Sequence, residues 1–268
     1  MPFAKINALD LYYETHGSGE PIVFISGFST HHMTWLSCVE RLKNHYQLIL
    51  FDNRGAGQTT APPPPYTIET MAEDTVALMD HLGVKTAHMV GSSMGTAIVQ
   101  TIAHRYPERI DKGVLIAPFP KLPEAALLKT KTTGKLLEKG VPLELVIETV
   151  IPWLFSSDFV KNPENVAAKI EEMTNNPYLQ GPEGFLGQME ALGSFDSRSF
   201  VKELKSPFLL MAGEDDLSTP LYCAEYLHSH LPNSTLHVFP RVGHMIHAEK
   251  KDEVIDLILQ FVRNSSGD

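Results

Sequence analysis

Short apolar runs alternate with amphipathic stretches along almost the whole of this chain, and that rhythm limits the fold more than any single residue does. Strand-length apolar runs fall at 4–7, 11–15, 22–26, 47–51, 86–90, 113–117, 208–212 and 235–239. Stretches with apolar residues at helical spacing fall at 32–44, 68–82, 96–106, 221–230 and 249–263. The first two strands follow one another across a short turn, as an antiparallel hairpin does. Beyond them the β-α-β-α order predicts an α/β fold, a mostly parallel eight-stranded sheet with helices on both faces. One interval breaks the rhythm. From about 119 to 205 there is no convincing strand, only helix-like pieces set apart by Pro123, Gly140-Val141-Pro142, Pro163, Pro177 and Gly181-Pro182. That interval reads as a helical cap inserted above the sheet, with 1–118 and 206–268 forming the core and 119–205 the insertion.

With 268 residues the chain can bury a sizeable core as one domain. Its net charge of −10 argues against a nucleic-acid partner and against an anionic membrane surface. No segment approaches the ~18 consecutive apolar residues of a membrane span, and Met1 to Lys5 does not begin a signal peptide. The two cysteines, Cys38 and Cys223, lie far apart without metal-ligand spacing, so neither a disulfide framework nor a zinc site is expected. The first strand-to-helix turn carries Gly27-Phe28-Ser29-Thr30 and no G-x-G-x-x-G, so a dinucleotide fingerprint is missing. The expectation is a cytoplasmic protein without metal or cofactor, its oligomeric state open.

The chemistry is carried by three places. Gly91-Ser92-Ser93-Met94-Gly95 sits between a strand-like and a helix-like run, the context of a nucleophile elbow that lifts the Ser93 hydroxyl above a sheet edge. A serine at its free pKa is a poor nucleophile, so it needs a base, and the base needs an orienting carboxylate. Gly213-Glu214-Asp215-Asp216 directly follows the 208–212 strand, and Val242-Gly243-His244 follows the last one. Both therefore lie at carboxyl ends of strands, where sites form in open α/β sheets. The chain order is Ser93, an acid at 215 or 216, then His244. His244 is preferred over His237, which alternates within a strand, and over His247, which begins the last helix.

These features together resemble the α/β-hydrolase superfamily over essentially the whole chain. Asp52-Asn53-Arg54-Gly55-Ala56-Gly57-Gln58-Thr59 is similar to the family's D-x-R-G-x-G-x-S turn, with threonine in the last place. Gly213 to Pro220 fits G-x-x-D-x-x-x-P, a register that selects Asp216 as the acid. Gly243-His244 with Glu249 fits G-H-x-x-x-x-E-x-P, although Lys251 stands where proline is usual. The resemblance implies an oxyanion hole made by the backbone N–H groups of Met94 and Phe28, with Ser26 where histidine is common. It implies acyl transfer to water, since the dehalogenase and epoxide hydrolase chemistries use an aspartate in place of Ser93.

Within the superfamily the motifs look most like small carboxylesterases and enol-lactonase-type hydrolases, so the expected substrate is a small ester or lactone. Carbon–carbon bond hydrolases commonly have Trp after the histidine, where this chain has Met245; perhydrolase or acyltransferase chemistry uses the same triad, and a non-catalytic receptor is the alternative from another class. Trp153, Phe155, Phe159, Phe185 and Met189 are the candidates for the apolar underside of the cap. Arg54 reads as a structural residue of its turn. Lys129, Lys131, Lys135 and Lys139 read as one solvated helix face rather than a dock for an anionic substrate.

Overall fold

The apolar runs become eight strands of a single sheet in the computed structural model, which describes residues 3–263. They are β1 (Phe3–Ile6), β2 (Leu9–His16), β3 (Glu20–Ile25), β4 (Tyr46–Phe51), β5 (Ala87–Ser92), β6 (Ile110–Ile116), β7 (Phe208–Gly213) and β8 (Ser234–Phe239), in the order β1-β2-β4-β3-β5-β6-β7-β8. β2 pairs antiparallel with β1 and β4, and the remaining pairs are parallel. Every residue of β5 and β7 is buried, as strands covered on both faces must be.

Helices α1 (Leu36–Leu42), α2 (Ile68–His81) and α3 (Met94–Arg105) alternate with strands β3 to β6. On one face of the sheet, Met71, Leu78, Ile98 and Ile102 of α2 and α3 join Leu227 of α9 (Leu221–His230) in one apolar cluster. On the other, Trp35, Cys38 and Leu42 pack with Val254, Ile255 and Ile258 of α11 (Lys251–Arg263). Two segments depart from the expected helices. The 32–44 stretch opens as a 3-10 turn, His32–Trp35, because the backbone N–H and ring of His32 both turn to Asp52. The 249–263 stretch is two pieces, α10 (Ile246–Glu249) and α11, parted at Lys250 with φ near −131°. His247 therefore lies in this extra turn and does not begin the last helix.

Between β6 and β7 the chain runs through α4 (Glu124–Glu138), α5 (Leu143–Leu154), α6 (Ser157–Val160), α7 (Pro163–Thr174) and α8 (Pro182–Ser194). At the neck of this excursion Lys121 bridges Asp196, and the Ser197 N–H donates to the Pro120 carbonyl at 2.8 Å. Ile147, Ile151 and Phe155 give the helices a small core of their own. They also dock on the rest of the molecule. A Cβ on Gly184 of α8 would collide with the carbonyl of Gly55, so backbone meets backbone there. Both cysteines are buried and free; burial pushes the Cys38 thiol up to about 11 and Cys223 to about 12, so neither is a ready nucleophile.

Candidate active site

Ser93 holds φ 51° and ψ −115° between β5 and α3, a backbone state that an L residue adopts only when its surroundings impose it. Two features impose it. The Ser93 N–H donates to Ile116 of the neighbouring strand at 2.8 Å, and glycines flank the turn. A Cβ at Gly91 would lie 2.5 Å from the Gly95 carbonyl oxygen, and one at Gly95 would collide with Ile25 of β3. Only this close contact lets α3 start at Met94, two residues before the periodicity suggests.

The loops after β7 and β8 meet the elbow. His244 Nε2 lies 2.9 Å from Ser93 Oγ, and His244 Nδ1 lies 2.7 Å from Asp216 Oδ2. Asp216 and His244 are 3 % and 6 % exposed, so their hydrogen bonds act with little competition from water. Asp216 Oδ1 accepts from the N–H groups of Ser218 and Thr219 at 2.7 and 2.9 Å. The Thr219 hydroxyl donates to Asp216 Oδ2 at 2.8 Å and lies 3.3 Å from His244 Nδ1. Adjacent carboxylates are thereby told apart: Asp216 is turned inward and locked, while Asp215 is half-buried and takes no part. Thr219 escaped the sequence reading, although its place one residue before Pro220 in the acid loop was the available signal.

The family model described as the alpha/beta hydrolase fold matches residues 20–251. The chain belongs to that family. Among its relatives, a protein bearing the name carbamate hydrolase RutD, from Caulobacter sp. strain K31, is 27 % identical over 87 % of this chain and 88 % of its own. One bearing the name non-heme chloroperoxidase, from Synechocystis, is 30 % identical over 98 % and 100 %. The crystal structure of an enol-lactonase from Burkholderia xenovorans LB400 superimposes with a TM-score of 0.86 at 24 % identity, covering 97 % of this chain and 99 % of that one, a likeness of fold. No helix among the described residues of this α/β hydrolase is long and apolar enough to cross a membrane.

The Phe28 N–H lies in the loop after β3 and the Met94 N–H at the first residue of α3, and no protein group among the described residues accepts a hydrogen bond from either. The loop carrying Phe28 is held from the helical excursion: Gln188 of α8 accepts from the Ser29 N–H at 3.0 Å and donates to the Arg54 carbonyl at 3.0 Å. Phe185 of the same helix packs edge-on against the Phe28 ring, centroids 5.0 Å apart. Trp153 places its carbonyl on the acid loop, where it accepts from Ser218 Oγ at 2.8 Å. Phe155 and Phe159 instead stack on each other at 4.2 Å in the core between the inserted helices, and Phe159 also lines a surface cavity with Pro240, Arg241 and Lys250. Met189 is half-buried on α8.

Arg54 of this α/β hydrolase is fastened by two bonds, 2.6 and 2.7 Å, to the buried Asp74. Glu249 accepts from Gly243 N–H and from both the N–H and hydroxyl of Ser156, tying the histidine loop to the inserted helices. His247 is the surprise. Both its ring nitrogens are buried without a partner beside the Trp35 ring, and burial holds the imidazole down at about 4. The one clustered donor set among the described residues is His31, His32 and Asp52, with ligand atoms within 4.8 Å of one another. Its groups already serve each other: Asp52 accepts from His32 twice and from the Gln58 N–H, and His31 Nε2 bonds Asn176. A metal ion there would have to displace bonds that hold the loop.

Proposed function

We propose that this chain is a serine hydrolase that cleaves small carboxylic esters or lactones through an acyl-enzyme on Ser93. The observation that carries the reading is the line from Ser93 Oγ to the buried His244 and Asp216, with spacings of 2.9 and 2.7 Å. Ser93 Oγ attacks the carbonyl carbon while His244 Nε2 takes its proton, and Asp216 stabilises the imidazolium through Nδ1. The carbonyl oxygen becomes an oxyanion facing the N–H groups of Phe28 and Met94. As the tetrahedral intermediate collapses, His244 Nε2 gives the proton to the departing alkoxide, which leaves as an alcohol. A water then gives its proton to His244, attacks the acyl carbon, and Ser93 departs with that proton restored. In a lactone the alcohol stays attached to the acid that is released.

The carbamate hydrolase name of one relative supports attack on a carbonyl of this general kind. The chloroperoxidase name of another supports a second reading on the same acyl-enzyme, in which hydrogen peroxide replaces water and a peracid leaves. Hydrolysis of 4-nitrophenyl esters of increasing acyl length, wild type against Ser93→Ala, tests the proposal. Turnover should fall by about 10⁴ or more in the variant. Undiminished turnover there would remove Ser93 from the mechanism, and no turnover by wild type across the series would favour a binding protein on this scaffold. Halide oxidation in the presence of hydrogen peroxide separates the second reading from the first.

A further inference from the structure

The lysines around α4 do not share one environment. Lys131, Lys135 and Lys139 are exposed, whereas Lys129 is half-buried. What sets Lys129 apart is Trp153 of α5; Lys129 also lies one turn on from the buried Ala126. Its ammonium stands 5.8 Å from the centre of the Trp153 ring. Trp153 in turn rests on the acid loop through its bond from Ser218, whose own N–H holds Asp216. Lys129 is thus a cation set toward the acid arm of the triad.

No protein carboxylate among the described residues pairs with it. Asp216 feels its field but has both oxygens taken up by His244, Ser218 and Thr219. Lys169 and Arg54, by contrast, are already paired, with Glu172 and Asp74. Burial draws the Lys129 ammonium down to about 8 against the opposing pull of Asp216, so it remains mostly charged at neutral pH. An ammonium withdrawn from water with only an aromatic face for company is short of an anion. A compact point charge of this kind suits one carboxylate.

We infer that Lys129 recognises a carboxylate on the substrate, so that the ester or lactone taken by this site is an anionic one. The inference rests on the hydrolase reading for the bond that is cleaved. Monomethyl glutarate and methyl pentanoate have the same acyl chain length and differ in the terminal carboxylate. Their kcat/KM ratio should favour the glutarate ester in wild type. It should fall by roughly tenfold or more in Lys129→Met, mainly through KM, and be largely kept in Lys129→Arg. A ratio unchanged in Lys129→Met would overturn the inference, and Lys129→Gln carries the same comparison should the methionine variant not fold. Calorimetric titration with glutarate supplies an arm that needs no turnover. If wild type cleaves neither ester yet binds glutarate, and Lys129→Met does not, the hydrolase reading fails and the inference stands. If the esters are cleaved and neither ratio nor glutarate binding responds to Lys129→Met, the inference fails and the hydrolase reading stands.

Discussion

A histidine can be conspicuous in sequence for one role and perform another in the fold. His247 lies three residues beyond His244, and nothing in the pattern of apolar residues shows that its ring is enclosed. Enclosure has a thermodynamic consequence. The unfolded imidazole takes up a proton near pH 6.5 and the folded one only near 4, so the unfolded state binds more protons between those values. Stability is therefore fully present above pH 6.5 and drains away as the pH falls toward 4, by on the order of 2–3 kcal/mol for this residue. Burial also holds His31 and His88 below the ordinary histidine range, which adds loss in the same direction. Melting temperatures of wild type and His247→Phe at pH 7.5 and 4.5 check the point: the variant should lose less on acidification. An equal loss in both proteins would remove His247 from the account. Asp216 and His244, by contrast, were legible because family motifs fix their register. Lys131, Lys135 and Lys139 are exposed as a solvated face requires, whereas Lys129 is half-buried beside Trp153, a contact between two helices that a run of charges cannot disclose.

Whole elements depend on single side chains where the inserted helices meet the sheet. Gln188, wholly buried on α8, serves the loop after β3 at Ser29 and the turn after β4 at Arg54. Gln188→Leu keeps the volume and leaves both backbone groups without their partner. It should cost roughly 2–4 kcal/mol, read by denaturant unfolding, and should lower kcat more than it raises KM because the Phe28 N–H moves with Ser29. A destabilised variant with unaltered kcat would separate the loop from catalysis. All eight strands were legible because strand-length apolar runs bounded by turn residues leave little choice. The inserted helices were not individually legible, since a region without strands offers no alternation to set their limits. Their docking did leave a trace: Gly184 and Gly187 recur three apart on α8, one against Gly55 and the other against the ring of Tyr66.

Across the whole molecule, stability is distributed unevenly. α7 contains no buried residue, while β5 and β7 contain no other kind. Hydrogen exchange should therefore release the amides of α7 first and those of β5 and β7 last, and protection of α7 equal to that of the sheet would contradict this ordering. Ser93 directly follows the wholly buried β5, whereas α7 belongs to the excursion. That excursion leaves after β6 and returns at β7, which are hydrogen-bonded neighbours, and its two ends are clasped together at Lys121 and Asp196. The entropy of closing such a loop grows only with the logarithm of its length. Selection can thus lengthen, shorten or exchange this segment while the sheet that carries Ser93, Asp216 and His244 folds unchanged, so one frame can present many different roofs.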